Sequence, residues 1–187
     1  MDEQWPRIKH RHTIAISPWV DIIAREVEFA PGEPGQVYHA VAQQDYIAIV
    51  ALTPDGRLPL VRQYRPAMED WTLELPAGLV DAGEDAATAC RRELLEETGL
   101  PTRALHPLGT AAPCTGRFSN RIHSFFVETA ERQPDFAPEP GVRTELVTPD
   151  QLVGLIMAGE FAQQLHLGAL MLAQLRHFIT LDWQPPR

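Results

Sequence analysis

Alternating apolar and polar residues run through the first part of the chain and predict a series of β-strands. A period of two places every second side chain on the same face of a strand. The sequence APGEPG reads as a turn, and PDGR, which lies between two apolar runs, predicts a hairpin. Predicted strands cover residues 12–17, 19–29, 36–42, 47–53, 58–64 and 71–75. The first three predict a small antiparallel sheet ahead of the main fold.

The second half of the chain combines strand and helix patterns. Strands are predicted over residues 104–112, 122–128 and 142–147, and the segment PCTGRFSN separates the first two. Residues 149–158 and 161–178 carry apolar side chains at helical spacing, and the second segment has a broad apolar face. This order predicts an α/β fold in which a mixed sheet has helices on its faces.

The most informative stretch, GLVDAGEDAATACRRELLEETGL, covers residues 78–100. No proline or glycine interrupts it from Asp85 until Gly99, and Ala, Leu, Arg and Glu all favour helices. Acidic residues suit the start of a helix, and glycine suits a left-handed stop at its end. We therefore predict a loop over residues 78–83 that leads into a helix of about four turns.

Three carboxylates come together on that predicted helix. Glu93 and Glu97 stand four residues apart, and Glu96 lies next to both. Like charges at this spacing destabilise a helix, and Arg92 relieves only Glu96, four residues away. The result is an oxygen-rich site that suits a hard divalent cation such as Mg²⁺, which takes carboxylates, water and phosphate oxygens. The alternative interpretation is a solvated charged face held by ion pairs.

Taken together, residues 78–100 resemble the signature box of the Nudix hydrolase family, without a departure at its fixed positions. These positions hold Gly78, Glu84, Arg92, Glu93, Leu94, Glu96, Glu97, Gly99 and Leu100. The flanking run VRQYRPAMEDWTLELPAGLVDAGED is similar to the stretch before the box in ADP-ribose pyrophosphatases and nucleoside diphosphate sugar hydrolases. The resemblance implies a Nudix-type α/β/α sandwich with a mixed sheet over residues 44–187. It also implies an N-terminal β extension over residues 1–43, through which two copies form a homodimer by exchanging their sheets.

The resemblance also implies roles for residues in and near the box. The implied metal ligands are the backbone carbonyl of Ala77 and the carboxylates of Glu93, Glu96 and Glu97. Glu84 and Arg92 would orient this cluster through a salt bridge rather than touch the substrate. The expected cofactor is Mg²⁺, with Mn²⁺ as the alternative.

The general base is expected in an acidic loop after the later strands, here PDFAPEPGVRTE. Similar enzymes take the base from such a loop, and Glu139 is our first choice, with Glu145 as the runner-up. The alternative is that both carboxylates are simply solvated.

Two aromatic residues fall where the family branch carries the rings that hold adenine. Trp19 and Tyr38 would stack on the purine, which suits flat aromatic faces. The alternatives are that Trp19 is a core residue and that Tyr38 is an ordinary strand residue. The loop that starts at Gly116 is expected to approach the terminal sugar or its phosphate.

Arg65 occupies the position at which the branch places an arginine against the substrate phosphates. A guanidinium group suits phosphate because it donates two parallel hydrogen bonds. The alternative is a surface ion pair with Glu69 or Asp70.

Composition narrows the class of protein further. The chain has 187 residues and a formal net charge of −9, which argues against nonspecific nucleic-acid binding. Its only cysteines, Cys90 and Cys114, lack metal-type spacing and suggest reduced thiols in an intracellular, cytoplasmic protein. We find no signal-peptide pattern and no run of the length that a membrane span needs.

From the residues and the resemblance together, we expect Mg²⁺-dependent hydrolysis of the diphosphate bond of a small nucleoside diphosphate sugar. The leading substrate is ADP-ribose, which would give AMP and ribose 5-phosphate. One alternative is a hydrolase of another sugar nucleotide, such as GDP-mannose or UDP-glucose. The other is a nucleotide-sugar-binding regulatory module that has lost catalysis.

Overall fold

The computed structural model describes residues 5–138 and 140–182 of the chain. The chain forms two compact units. The N-terminal unit consists of Met1–Asp45 together with Ala112–Arg121, and the main unit consists of Tyr46–Ala111 and Ile122–Arg187. A segment from the middle of the sequence therefore belongs to the N-terminal unit.

The N-terminal unit is built on a three-stranded antiparallel sheet in the order β1-β2-β3, as the alternation predicted. Its strands are β1 (Arg7–Ser17), β2 (Val20–Glu28) and β3 (Gln36–Ala42). The inserted segment is tied to the end of β3, because the N–H of Val41 donates to the Arg117 carbonyl at 2.8 Å. The N–H of Ser119 donates in return to the Val41 carbonyl at 3.0 Å. These bonds fix the inserted loop against the sheet.

The main unit contains two sheets and three helices. Its strands are β4 (Tyr46–Leu52), β5 (Leu58–Arg65), β6 (Asp70–Glu74), β7 (Ala77–Leu79), β8 (Thr102–Ala111), β9 (Ile122–Thr129) and β10 (Val142–Val147). Its helices are α1 (Ala86–Thr98), α2 (Pro149–Met157) and α3 (Gln164–Leu175). One sheet has the order β7-β4-β9-β8 and the other β10-β5-β6. The first is mixed, because β4 runs parallel to β9 and antiparallel to β7.

Strand β4 is buried on both faces and divides the interior of the main unit into two hydrophobic clusters. Ala48 and Val50 point into the cluster that also contains residues of α2 and α3. Ile47, Ile49 and Ala51 point into the cluster that contains residues of α1. Because alternate side chains of a strand face opposite ways, the continuous apolar sequence of β4 fits a strand covered on both sides. The expected α/β/α sandwich is therefore confirmed.

Helix α1 has the ends that its sequence predicted. The Asp85 carboxylate accepts hydrogen bonds from the backbone N–H groups of Ala87 and Thr88, both at 3.0 Å. Gly99 ends the helix in the left-handed region with φ of 69°, and its N–H donates to the Leu95 carbonyl. The two caps fix the residues at which α1 begins and ends, and with them the position of each acidic residue on the helix.

Three sequence predictions differ from the structure. The PDGR turn forms, but the strands it joins, β4 and β5, pair in different sheets, so the predicted hairpin is wrong. The loop predicted from Gly78 begins as the short strand β7, which pairs with β4. Helix α3 is shorter than predicted, because the side chain of Gln163 caps it and it ends at Leu175. In the part of the chain that the structure describes, no helix has the length and apolar character needed to cross a membrane.

Candidate active site

The acidic cluster of α1 lies directly against strand β7. Gly78 is in contact with Glu93, and any Cβ atom at position 78 would overlap the Glu93 carboxylate. The absence of a side chain at this position therefore allows the carboxylate to lie against the strand backbone. Burial raises the pKa of Glu93 above its ordinary value, while Arg92 opposes that shift.

Arg92 connects the acidic residues of this region to one another. Its Nε and one Nη donate to the two oxygens of Glu84 at 3.1 and 2.9 Å, which is the expected salt bridge. Its other Nη donates to Glu93 at 2.7 Å and to Glu96 at 3.2 Å. A further bond reaches the Leu79 carbonyl at 3.1 Å. The bidentate contact with the Arg92 guanidinium lowers the pKa of Glu84.

Glu97 is the most deeply buried carboxylate of the cluster. Its Oε2 accepts a hydrogen bond from the N–H of Ala77 at 2.9 Å, so the two residues predicted as ligands touch. Burial raises the pKa of Glu97 to about 8, a shift that the Ala77 bond opposes and the neighbouring Glu93 reinforces. The protein thus holds a carboxylate in a place that penalises its charged form.

The acidic side chains of α1 are each hydrogen-bonded inside the protein. Among residues 5–138 and 140–182, no three His, Cys, Asp or Glu side chains are grouped so that they could hold a metal ion. The guanidinium of Arg92 contacts both Glu93 and Glu96, and Glu97 is bonded to the Ala77 backbone. The donor set still fits a hard divalent cation, because it offers carboxylate oxygens and burial has left two of them short of compensating charge.

Arg65 makes a bidentate ion pair with a buried acid, but its partner differs from the residues considered. Its Nε and one Nη donate to the two oxygens of Glu74 at 2.8 and 2.7 Å, whereas Glu69 or Asp70 was expected. Glu74 is 3% exposed and also accepts a bond from the Thr72 hydroxyl at 2.6 Å. The contact fixes the Arg65 guanidinium and leaves its second Nη for another ligand.

His166 lies behind this ion pair and is 1% exposed. Its Nδ1 accepts a hydrogen bond from the N–H of Leu75 at 3.1 Å and lies 3.9 Å from a Glu74 oxygen. Burial lowers the pKa of His166 to about 4, although the neighbouring Glu74 favours the charged form. The ring is therefore neutral at physiological pH.

The predicted substrate residues of the N-terminal unit are exposed. Trp19 is 65% exposed in the turn between β1 and β2, so it is not a core residue. Tyr38 is half exposed, and its ring contacts the edge of Phe29 with 5.9 Å between centroids. Tyr38 and Gly116 line the same cavity of about 500 Å³, although 78 positions separate them in the sequence.

Of the two candidates for the general base, the structure describes only Glu145. Glu139 lies outside the residues that the structure describes. Glu145 is on β10, where its carboxylate accepts a hydrogen bond from the Nε of Arg62 at 2.6 Å. In this conformation Glu145 is engaged in an ion pair rather than free to accept a proton.

Sequence reasoning missed two side chains that complete the site. Glu74 and His166 support Arg65 from behind, but they are 9 and 101 positions away from it along the chain. Glu74 carries a local signal, since it is a charged residue in the otherwise apolar end of a strand. His166 carries none, because a histidine on a helix gives no indication of what its ring will contact.

Comparisons with known proteins show the family to which the chain is related. The model of the NUDIX domain family matches residues 42–166. An ADP-ribose pyrophosphatase from Mycobacterium tuberculosis is 49% identical over 146 residues, which cover 75% of this chain and 69% of that protein. An ADP-ribose pyrophosphatase from Bacillus subtilis is 28% identical over 109 residues, or 58% of each chain. The present chain thus spans little more than half the length of that relative.

The fold also has a solved counterpart. A crystal structure of an ADP compounds hydrolase aligns with a TM-score of 0.76 and covers 94% of this chain and 96% of that chain. The two sequences are 22% identical, so this likeness concerns the fold.

Proposed function

We propose, because the chain belongs to the Nudix family, that it hydrolyses the diphosphate bond of a nucleoside diphosphate sugar with the help of divalent metal ions. The preferred substrate is ADP-ribose, and the products are AMP and ribose 5-phosphate. The observation that carries the proposal is the acidic cluster of α1, in which Glu93 and Glu97 are held against strand β7. Relatives named ADP-ribose pyrophosphatase support the choice of substrate.

Glu93 and Glu97, with Glu96 and the carbonyl of Ala77, would hold the metal ions, for which we propose Mg²⁺. When bound, the metal neutralises charge on the diphosphate, polarises phosphorus and acidifies water. Glu84 and Arg92 have a positioning role, because the bidentate bond between them fixes the guanidinium that contacts Glu93 and Glu96. The donor residues are in this way oriented before substrate arrives.

Arg65 would bind a phosphate oxygen of the substrate. Its Nε and one Nη are occupied by Glu74, so the remaining Nη is held in a defined direction. The positive charge of Arg65 also opposes the rise that burial causes in the pKa of Glu97, so the guanidinium acts on the acidic cluster. An arginine that is fixed beside the metal ligands is well suited to a diphosphate.

The activity is tested with purified protein, ADP-ribose and Mg²⁺, and the products are identified by ion-exchange chromatography. We expect AMP and ribose 5-phosphate in equal amounts, and no turnover when EDTA removes the metal. GDP-mannose and UDP-glucose under the same conditions distinguish ADP-ribose from other sugar nucleotides. If neither Mg²⁺ nor Mn²⁺ supports cleavage of any of the three, the regulatory-module alternative gains and the hydrolase proposal is lost.

We also propose a homodimer formed through the N-terminal sheet. Strand β1 is exposed along nearly its whole length, with Ile16 at 62% and the adjoining Trp19 at 65%. Exposed apolar side chains on a sheet suit a protein partner. Light scattering coupled to size-exclusion chromatography should give twice the mass of 20.9 kDa, and an Ile16→Asp variant should shift it toward the monomer. A monomeric wild-type protein at micromolar concentration would contradict this proposal.

The cytoplasmic location stays a prediction from the sequence.

A further inference from the structure

A cavity of about 500 Å³ in the N-terminal unit is lined by three arginines, Arg25, Arg117 and Arg121. Arg25 comes from β2, and the other two come from the inserted segment. Tyr38 and Phe118 supply aromatic surface to the same cavity. The chain carries 25 acidic and 16 basic residues, so a cavity with three arginines departs from its average charge.

The three guanidinium groups form no hydrogen bond or ion pair within the described ranges 5–138 and 140–182. The nearby carboxylate of Asp45 accepts a bond from the backbone N–H of Arg121, at 2.7 Å. In the main unit, by contrast, Arg65 and Arg92 are both bonded to carboxylates. The cavity therefore holds three arginine charges, none of which is paired with a carboxylate through its guanidinium in the described ranges.

The register of the sheet places a further arginine next to the cavity. Arg11 on β1 stands directly opposite Arg25, and Arg25 stands directly opposite Tyr38. Directly opposite residues of an antiparallel pair lie on the same face, and like charges in such a pair destabilise the sheet. An anion bound beside Arg25 would reduce this repulsion.

The backbone fixes the positions of the arginines on the inserted segment. The N–H of Val41 donates to the Arg117 carbonyl, and Val41 and Phe118 form a parallel bridge. The side-chain amide of Asn120 donates to the Gln44 carbonyl at 3.0 Å. Because these bonds hold the loop at the end of β3, the backbone that carries Arg117 and Arg121 is already in place when a ligand binds.

We propose that Arg25, Arg117 and Arg121 form a binding site for a phosphoryl group. Guanidinium groups bind phosphoryl oxygens through paired, charge-assisted hydrogen bonds, and the rings of Tyr38 and Phe118 suit the organic part of such a ligand. The phosphoryl group has two possible sources. It is either free inorganic phosphate or a phosphate monoester on the nucleotide-sugar substrate, in addition to its diphosphate. The second source rests on the proposed function.

Binding is tested directly with inorganic phosphate. The Nε–Hε signals of ¹⁵N-labelled arginines are followed by NMR while phosphate replaces chloride at constant ionic strength. We expect saturable shifts in signals that are absent from the double variant Arg117→Gln/Arg121→Gln. The variant Arg176→Gln is the matched control, because it removes one arginine charge from the main unit, where Arg176 donates to the Pro107 carbonyl. The Arg176→Gln variant should show the same phosphate-dependent shifts as the wild type.

The source of the phosphoryl group is tested by kinetics. The ratio of kcat/KM for ADP-ribose 2′-phosphate to that for ADP-ribose is measured in the wild type, the double variant and Arg176→Gln. If the substrate carries the phosphoryl group, the double variant lowers this ratio about tenfold and Arg176→Gln leaves it unchanged, because charge-assisted bonds to one phosphate are lost. Saturable NMR shifts with an unchanged ratio support free phosphate as the ligand.

The absence of both effects overturns the proposal. Failure of the proposed function is recognised separately, since the wild type would then cleave neither compound while the NMR titration with phosphate stays readable.

Discussion

The acidic cluster of α1 and the arginine-lined cavity of the N-terminal unit treat charge in opposite ways. In the cluster, Arg92 contacts three glutamates and Glu97 accepts a backbone bond, so each carboxylate has a hydrogen-bond partner inside the unit. In the cavity, three guanidinium groups line a common space, and none of them is paired with a carboxylate of residues 5–138 or 140–182. We infer that hydrogen bonds inside the cluster orient its carboxylates for the proposed chemistry, whereas the arginines of the cavity stay available to a ligand. Four substitutions test this contrast, beginning with the one that should have the greatest effect.

Replacing Glu97 with Gln should change activity and stability in opposite directions. We expect turnover of ADP-ribose to fall at least about 1,000-fold, because a proposed metal ligand is lost. At neutral pH the metal-free variant should gain about 1–3 kcal/mol of unfolding free energy, since Gln is neutral without the proton uptake that burial imposes on Glu97. Steady-state kinetics and urea denaturation measure the two effects.

The matched control for Glu97 is Glu33→Gln, at an exposed position of the N-terminal unit. It should change neither quantity appreciably. Turnover by Glu97→Gln within tenfold of the wild type would remove Glu97 from the catalytic site.

Replacing Arg92 with Ala should break the internal pairing of the cluster. Three glutamates would then face one another without a shared cation, so we expect a loss of about 2–4 kcal/mol in unfolding free energy. Turnover should fall about 100-fold, because the carboxylates lose their orientation. Adding Glu84→Gln to this variant should restore part of the stability, and a strictly additive double variant would show that the pair is not coupled.

The buried ring of His166 should make the stability of the main unit depend on pH. The folded-state pKa is lowered to about 4 from 6.5, so the unfolded chain binds more protons between these values. The contribution is fully present above pH 6.5 and is lost as the pH falls toward 4, with a total of about 3 kcal/mol.

Urea denaturation of the wild type and of His166→Asn at pH 7 and pH 5 checks this prediction. Asn keeps an acceptor for the Leu75 N–H but does not titrate, so its stability should fall less over the same range. Parallel pH profiles for the two proteins would exclude His166 as the cause.

Replacing Arg11 with Gln should relieve the repulsion between opposite strands of the N-terminal sheet. Arg11 does not line the cavity but stands opposite Arg25, so the variant should gain about 0.5 kcal/mol in unfolding free energy. The gain should vanish in high salt, where exposed charges are screened. Thermal unfolding at low and high ionic strength measures it, and a loss of stability at low salt would show that Arg11 has a favourable partner.

Local sequence signals predicted the elements well where capping and alternation act over a few residues. The ends of α1 followed from Asp85 and Gly99, and strand β3 was predicted over its observed range. The pairing of β4 and β5 was not predictable from PDGR, because a turn fixes a reversal of the chain but not the sheet that each strand joins. The sheet that β4 joins depends on the burial of both its faces, and that burial involves residues from the whole main unit.

The candidate site divides in the same way. The spacing of Glu93, Glu96 and Glu97 is local, so their common helix could be read from the sequence. The contact of Arg65 with Glu74, and the approach of Arg25 to Arg117, depend on strand register and on the insertion of a distant loop. No periodicity in the chain encodes such contacts.

Strand β4 has a consequence for how the main unit opens. Its alternate side chains belong to both hydrophobic clusters, so neither cluster can loosen without exposing a face of the same strand. Amide hydrogens of β4 should therefore exchange with solvent only through global unfolding, with the same free energy of opening along the strand. Helix α1 and the helices on the opposite face would then unfold as one cooperative body.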